Sequence, residues 1–383
     1  MTKLRVFLAN VAALCAVGCG GVGTAPSPSV SPFATAASPV TSAATTTPGR
    51  FRPTANMSVA RAAHTATLLP DGKVLIAGGF SATANLGQGD PLASAELYDP
   101  ATSTFTPTGN MTSPRARHTA TLLGNGKVLV AGGVMDAQSG VYNPSAELYD
   151  PSTGTFTATG SMISSGMAYS TLLQDGRVLI AKDGSAEIYD PAIGSFAPAG
   201  AYVDPNSVQP DTATLLLDGR VLVTGCTANC TVTITEIFDP QTGKFSRASH
   251  TYGGGETATA TLLLDGRVLF VEGTDGPSDH AEAYDPAAGT FTSLGSTNTV
   301  HWFSADVRLP DGSVLIAGGQ VPGGNGNPQA EIFSPGNGTF AVSNMTAGRH
   351  SNTATLLPNA TVLITGGYSA WPAPTSTAEI YTP

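Results

Sequence analysis

The sequence predicts an all-β protein, a β-propeller of seven blades with four antiparallel strands in each blade. Two phrases that alternate along the 383 residues support this prediction. The phrase "HTATLLPDGKVLIAGG", residues 64–79, returns in altered copies, and a phrase like "AELYDP", residues 95–100, follows each copy. From Asp71 to Asn359 the turn residues of the first phrase span 288 residues in six intervals, a mean of 48. A fixed period of this length indicates a repeat architecture.

Each repeat predicts four short strands, which read in blade 1 as "HTATLL", "KVLIAGG", "SAELYDP" and "TFTPT". An Asp-Gly turn joins the first two strands, and Asp-Pro followed by Thr-Gly marks the last connection. The second strand is apolar on both faces, which suits a strand packed between neighbouring sheets. No segment shows a sustained helical period, and 45 Gly and 28 Pro fit a turn-rich all-β chain.

The count of strands predicts how the ring closes. Seven first, second and third strands are present, but only six fourth strands follow them, because the chain stops at "AEIYTP". "FRPTANM" from Phe51 matches "FTPTGNM" from Phe105. We therefore predict that an N-terminal strand completes the last blade, closes the ring and covers the open sheet edge.

The start of the chain predicts export. Lys3 and Arg5 precede a short apolar run, so residues 1–18 are interpreted as a signal peptide. "AVGC" resembles a bacterial lipobox, which implies lipidation of Cys19 and a place at the cell envelope, in the outer membrane if the organism has two. Plain cleavage without lipidation remains the alternative. Residues 19–50 form a Ser/Thr/Pro-rich linker, and residues 51–383 form the propeller.

The net charge argues against two kinds of partner, nucleic acid and anionic lipid. Without Lys3 and Arg5, the 17 basic residues fall to 15 against 27 acidic residues, a net charge of −12. An acidic body is unsuited to nucleic acid and to anionic lipid. The membrane would therefore be reached only through the N-terminal lipid.

The repeats resemble the Kelch repeat and the propellers of galactose-oxidase-like proteins. The resemblance covers residues 51–383 and rests on the second strand that ends in Gly-Gly, the Glu-aromatic-Asp-Pro phrase and the aromatic residue after Thr-Gly. It is strong at Gly78-Gly79 and Gly132-Gly133 and weaker at Ala181-Lys182. The family implies a propeller fold but names no function.

Four-stranded blades place the connections into the first strands and the loops after the second strands on one side, which we call the mouth face. Loops on a rigid scaffold usually carry binding residues. We predict that the ligand-binding residues of this face include Trp302, Trp371, His301, Arg61, His64, Arg115, His118, Arg349 and His350. The alternative for the repeated Arg and His residues is a structural role. A glutamate at one position of every repeat, such as Glu96, is expected to be a scaffold residue.

The phrase around His64 resembles copper-radical oxidases, which pair a Tyr with the following His and also need a Tyr cross-linked to a Cys. Here Ala63 precedes His64 and Arg117 precedes His118, so this activity is not transferred. Cys226 and Cys230 are the remaining Cys residues of the body, and a local disulfide is the expectation for an exported chain. No catalytic residue, metal ligand or cofactor is predicted.

These observations predict an exported, lipid-anchored Kelch propeller that binds a glycan or another envelope protein. The alternative is a carbohydrate-active enzyme or a degenerate copper-radical-oxidase-like propeller. Titratable groups that converge in the central mouth would favour the enzyme, and a neutral aromatic mouth would favour binding.

Overall fold

The computed structural model describes residues 48–81, 89–136, 141–203, 209–226, 233–248, 257–272, 280–370 and 372–383. Within these ranges every helix or strand that is assigned is a strand. The described part of the chain contains no helix long and apolar enough to cross a membrane. The compact unit runs from Pro48 to Pro383. Its strands form seven antiparallel sheets of four strands each, so the predicted all-β fold with seven blades is confirmed.

The strands of blades 1–4 follow the chain in order from the first strand to the fourth. Blade 1 consists of Thr65–Leu68, Val74–Ala77, Ala95–Asp99 and Thr104–Pro107. Blade 2 consists of Thr119–Leu122, Val128–Ala131, Ala146–Asp150 and Thr155–Ala158. Blade 3 consists of Ala168–Leu172, Val178–Lys182, Ser185–Asp190 and Ser195–Pro198. Blade 4 consists of Gln209–Leu215, Val221–Cys226, Thr233–Asp239 and Lys244–Arg247.

Blades 5 and 6 repeat this order, and blade 7 takes its fourth strand from the N-terminal side. Blade 5 consists of Thr257–Leu262, Val268–Glu272, His280–Asp285 and Thr290–Ser296. Blade 6 consists of Ala305–Arg308, Val314–Ala317, Asn327–Ser334 and Thr339–Arg349. Blade 7 consists of Thr353–Leu356, Val362–Thr365, Ala378–Thr382 and Arg50–Pro53. Two short ribbons extend the mouth face, Val134–Asp136 with Val141–Tyr142 and Tyr368–Ala370 with Ala373–Pro374.

The seven first strands form the inner ring. Each contacts the first strand of the next blade, and Thr353–Leu356 of blade 7 contacts Thr65–Leu68 of blade 1. Second strands such as Val74–Ala77 are buried along their whole length because both of their faces meet neighbouring sheets. Leu75 of blade 1, for example, belongs to the same apolar cluster as Val128 of blade 2. The core is therefore a set of layers between successive blades around a central channel.

The N-terminal strand occupies the position that the strand count predicts. Arg50–Pro53 pairs antiparallel with Ala378–Thr382, in a register that sets Phe51 opposite Tyr381. In blade 1 the corresponding pair is Tyr98 and Phe105. The N-terminal segment is thus a fourth strand contributed from the other end of the chain.

The double glycine after a second strand lets the next connection pass close by. Gly78 and Gly79 have φ of +63° and +94°, values that an L side chain rarely adopts. A Cβ on Gly79 would lie 2.8 Å from the carbonyl oxygen of Ala62, and one on Gly133 would lie 2.6 Å from that of Ala116. The glycines therefore allow the backbone of the mouth face to pack tightly.

Candidate binding site at the mouth of the central channel

The mouth is framed by backbone hydrogen bonds that run from blade to blade. The amide of Ser351 donates to the carbonyl of Phe303 at 2.8 Å, and that of Ala63 donates to Ser351 at 2.8 Å. The amide of Arg117 donates to Ala63 at 2.9 Å. All four residues have φ between +52° and +58°, although none is glycine. Non-glycine residues persist in this region only where the surrounding structure holds them there.

These residues surround a cavity of about 390 Å³, which we call the mouth cavity. Such a volume lies within the range of about 300–1,000 Å³ that is usual for small-ligand sites. Aromatic, hydroxyl and imidazole side chains dominate the lining, which consists of Ala63, His64, Arg117, His118, Thr119, Ala120, Met167, Ala168, Tyr169, Ser170, Phe303, Ser304, Ser351 and Asn352. Among the described residues, none with a carboxylate lines it. The surface suits recognition of a neutral or anionic ligand.

Three of the predicted site residues, Arg61, Arg115 and Arg349, lie behind the mouth rather than in it. Each side chain is fully buried and forms an ion pair with the repeated glutamate of its own blade. The nitrogen–oxygen distances are 2.9 Å in Arg61–Glu96, 2.7 Å in Arg115–Glu147 and 2.9 Å in Arg349–Glu379. Burial lowers the pKa of all three guanidinium groups, while the carboxylates act in the opposite direction. This geometry supports the structural alternative, and direct contact with a ligand stays a prediction that burial disfavours.

His301 stands in blade 6 where Arg61 stands in blade 1. Its Nδ1 lies 2.8 Å from the carbonyl oxygen of Gly318, and its Nε2 lies 3.0 Å from Glu331 Oε1. The buried ring thus contacts the same two kinds of acceptor as the arginines do. Burial acts against ionisation of Glu331, but the bonds from His301 and Asn298 lower the pKa of this carboxyl overall. In blade 3 the repeated Glu187 pairs with the buried Lys182, which ends the second strand and thus comes from a different position than Arg61.

His64 and His118 line the mouth cavity, but their Nε2 atoms bond across blade junctions. His64 Nε2 lies 2.9 Å from Thr365 Oγ1 of blade 7, and His118 Nε2 lies 3.0 Å from Thr65 Oγ1 of blade 1. Burial, followed by the charge of Arg61, lowers the pKa of His64 well below its usual value. Burial likewise lowers the pKa of His118 to about 3. Both rings are therefore neutral near neutral pH and connect neighbouring blades.

Trp302 and His350 follow the buried His301 and Arg349. The Trp302 ring stacks on Phe303, with centroids 4.8 Å apart and an interplanar angle of 20°. His350 is buried, and its ring centroid lies 5.1 Å from that of Tyr368. Burial lowers the pKa of His350 to about 4. The structure thus places Trp302 beside the mouth cavity and His350 beneath the surface.

Several predicted features lie outside the described residues. They are the signal peptide, the lipidated Cys19, most of the linker, Trp371 and Cys230. The backbone of Cys226 ends the second strand of blade 4, but its side chain is not described. The disulfide between Cys226 and Cys230 therefore stays a prediction.

Three mouth residues were missed by the sequence reasoning, namely Arg117, Tyr169 and Phe303. All three line the mouth cavity, and Phe303 is 39% exposed. The signal that could have found them is deviation from the repeat. Tyr169, for instance, stands where Thr65 and Thr119 stand in the first two blades.

A second cavity, of about 270 Å³, lies along the first strands of blades 3–6 and shares Tyr169 and Ser170 with the mouth cavity. Asp211 and Asp306 belong to its lining. Asp306 accepts hydrogen bonds from Thr259 of blade 5 and, at 3.2 Å, from Ser304. Burial raises the pKa of Asp306 to about 6, against these bonds.

Comparison with known proteins agrees with this architecture. The model of the Kelch motif matches residues 61–112. A fungal alcohol oxidase of the AA5 family, solved in complex with copper, has a similar structure with a TM-score of 0.69. The two chains are 18% identical over 88% of this chain and 77% of the oxidase. No curated protein matches this sequence.

The fold is a seven-bladed β-propeller, and residues 61–112 of it match the Kelch motif. The resemblance to Kelch and galactose-oxidase-like propellers is confirmed as a resemblance of fold. Because 867 chains of solved structures share the likeness, it does not by itself indicate a function.

Copper, which the oxidase contains, does not suit the mouth of this chain. Copper sites need several nitrogen, oxygen or sulfur ligands that converge on one point. The Nε2 atoms of His64 and His118 instead bond to threonine hydroxyls. Over the described ranges, no group of three or more His, Cys, Asp or Glu side chains could hold a metal ion.

Proposed function

We propose that this chain is an exported, lipid-anchored binding module whose mouth face recognises a glycan or another protein of the cell envelope. The mouth cavity is the observation that carries the proposal. Its aromatic and hydroxyl lining, with two neutral imidazoles, offers stacking surfaces and hydrogen-bonding groups. Sites of this composition suit recognition rather than acid–base chemistry.

The N-terminal sequence supports the localisation. Lys3, Arg5 and the apolar run before Cys19 have the order of a secretory signal with a lipobox. The Ser/Thr/Pro-rich segment that follows would tether the propeller to the membrane surface. Nucleic acid is an unsuitable partner for this acidic body.

A carbohydrate-active enzyme is the second candidate, and Asp306 is the observation that favours it. A carboxyl that keeps its proton up to a pH of about 6 could act as a general acid. Glycoside hydrolysis usually needs two carboxyl groups across the scissile bond. Asp211 and Asp306 line the second cavity, whereas the mouth cavity has no carboxylate among its described lining residues. The mouth therefore favours binding.

A glycan array tests the proposal. The full chain carrying Cys19→Ser would be purified from the soluble fraction, because this variant cannot be lipidated. Binding to each glycan hit would be measured again with the variants Trp302→Ala and Phe303→Ser, each of which removes one ring of the stacked pair. Envelope proteins captured by cross-linking would be tested against the same variants. Stacking contributes about 1 kcal/mol per ring, so each change should weaken binding up to about tenfold. Release of shortened products, with no stable binding, would support the enzyme instead.

A further inference from the structure

We propose that the ligand of the mouth cavity is a saccharide that carries a carboxylate, with Arg117 as the ion-pair partner of that carboxylate and Phe303 as the surface on which the sugar stacks. This inference rests on the proposed binding function and specifies its ligand. Four observations support it: the charge of Arg117, the lack of an ion pair for Arg117 among the described residues, the repeat position of Arg117 and the aromatic platform.

Arg117 carries a positive charge at the mouth and has no ion pair among the described residues, although Asp183 acts with it on the pKa of the neighbouring Tyr142. The arginines behind the mouth, such as Arg61 and Arg115, are each paired with a buried glutamate. Arg117 is only partly buried, and across the described residues its guanidinium has no ion pair. The ring of Phe80 lies beneath it, with the guanidinium carbon 5.9 Å from the ring centroid. A guanidinium in this setting is held in place and keeps its hydrogen-bond donors available.

The charge of Arg117 acts across the mouth face. Burial raises the pKa of Tyr368 to about 12, and Arg117 acts in the opposite direction. Arg117 also adds to the lowering of the pKa of His350, behind the larger effect of burial. The protein as a whole is acidic, with 27 Asp and Glu against 17 Lys and Arg, so a cavity whose described lining carries an arginine and no carboxylate is a local exception. Such a site attracts anions.

The other six blades show which residue types the scaffold accepts at the position of Arg117. The position that Arg117 occupies in blade 2 holds Ala63, Met167, Pro210, Thr257, Phe303 and Ser351 in the other blades. Ala63 and Arg117 share φ of +52° and the same hydrogen-bonded frame, so the scaffold does not require arginine here. Long side chains at positive φ are uncommon. An arginine kept at such a position points to a role in binding.

The chemistry of the walls favours a saccharide over an acidic peptide. Phe303 and Trp302 form a flat stacked pair, and Phe303 is 39% exposed. Flat aromatic rings match the apolar faces of pyranose rings, and Tyr169 adds a third aromatic side chain. Side-chain hydroxyls and an amide line the cavity, from Thr119, Ser170, Ser304, Ser351 and Asn352. Each already makes a hydrogen bond within the protein, and the oxygens of these side chains keep lone pairs that can accept from sugar hydroxyls. The guanidinium can hold a carboxylate with two parallel hydrogen bonds.

Calorimetric titration of the full chain carrying Cys19→Ser tests the inference. The probes are a tetrasaccharide that contains uronate, the same tetrasaccharide with the corresponding neutral hexose, a sulfated analogue, and an octapeptide of glutamate. The protein with Cys19→Ser alone should bind the uronate probe most tightly, and this binding should weaken as salt is added. Arg117→Gln should reduce affinity for the uronate probe about 10- to 100-fold, since hydrogen bonds to charged groups are lost. Affinity for the neutral probe should stay the same.

Arg177→Gln is the matched control, because Arg177 is exposed, ion-paired with Asp175 and located on the opposite face. It should leave all affinities unchanged. Equal affinity for neutral and uronate probes, with no effect of Arg117→Gln, would overturn the inference while the binding function stands. Tighter binding of the sulfated probe or of the glutamate peptide would overturn it in the same way. Failure of every probe, together with an empty glycan array, would contradict the inference and glycan binding alike.

Discussion

Phe51 lies opposite Tyr381 with their ring centroids 4.8 Å apart, although the two residues belong to opposite ends of the propeller sequence. The same distance separates Tyr98 and Phe105, which are joined within blade 1 by one short turn. Phe51 also packs against the apolar layer between blades 6 and 7, which includes Leu315. The last blade therefore has the same aromatic pair as the first, but one member arrives through ring closure.

Removing the aromatic ring of Phe51 should lower stability about as much as removing that of Phe105. Burial of one Phe contributes about 1.5–3 kcal/mol, and both rings are partly buried in the same strand position. Thermal melting of Phe51→Ala and Phe105→Ala, measured side by side, should show that both variants lower the melting temperature by a similar amount, a few degrees. A loss of stability of this size lowers the melting temperature of a large domain by about that much. A chain that begins at Val59 should lose more and aggregate through its open edge. A normal melting temperature for Phe51→Ala beside a lowered one for Phe105→Ala would contradict closure by this strand.

The Arg–Glu pairs behind the mouth should contribute to stability rather than to ligand affinity. Arg115→Met leaves Glu147 buried without its partner, and removing one member of a buried pair typically costs about 3–5 kcal/mol. Arg177→Met breaks an exposed pair with Asp175 and should cost less than about 1 kcal/mol. Urea unfolding measures both. If the two variants lose equally little stability, the structural role of the buried pairs is wrong.

The repeats explain which parts of the site could be predicted from the sequence. Glu96 and its counterparts recur in every blade, so their scaffold role was predictable, and the structure pairs three of them with arginine. His301 was assigned to the mouth because of its place in the chain. Aligned with Arg61, it occupies the buried position that pairs with the repeated glutamate and bonds to Glu331, while its contact with a ligand stays a prediction. The direction of the His301 side chain follows from its alignment with Arg61, and the closeness of His301 to Trp302 in the sequence does not reveal this direction.

Arg117 and Phe303 were harder to predict because their position differs in every blade. A position without a repeated residue type gives no pattern, and its φ above +50° is visible only in the structure. The blade count, by contrast, followed from strand phrases that every repeat retains. Repetition therefore predicts the scaffold, and departures from repetition indicate the candidate site.

Cys19→Ser should release the mature protein from the membrane. The lipobox reading requires the thiol of Cys19 as the lipid acceptor, after the small residues Val17 and Gly18. Fractionation of cells should find wild-type protein with membranes and the variant in the soluble fraction. Cys15→Ser is the matched control and should remain membrane-bound, since Cys15 lies within the predicted signal peptide. Equal membrane association of Cys19→Ser and wild type would exclude this anchor.

Asp306 creates a polar contact at the junction of blades 5 and 6. The same strand position, paired with the middle of each second strand, holds Ala66, Ala120, Ser170, Ala213, Ala260 and Ala354 in the other blades. Burial raises the pKa of Asp306 from 3.8 to about 6. A folded-state pKa above that of the unfolded chain means that the native state binds the proton more tightly. The stability that the folded protein gains from this tighter proton binding is therefore fully present below pH 3.8, and it is lost as the pH rises through about 6.

Asp306→Ala should consequently stabilise the protein at pH 7.5 and not at pH 4. The shift in pKa corresponds to a cost on the order of 2–3 kcal/mol for the ionised carboxylate, from which the loss of the hydrogen bonds from Thr259 and Ser304 must be subtracted. Melting of wild type and variant between pH 4 and pH 8 measures the difference, which should grow across the interval between the two pKa values. Asp150→Ala provides the opposite case, because bonds from Ser152 and Lys127 lower the pKa of Asp150 to about 2. That variant should be less stable than wild type near neutral pH, and its deficit should shrink as the pH falls. A difference between wild type and Asp306→Ala that stays constant with pH would show that Asp306 does not titrate in this interval.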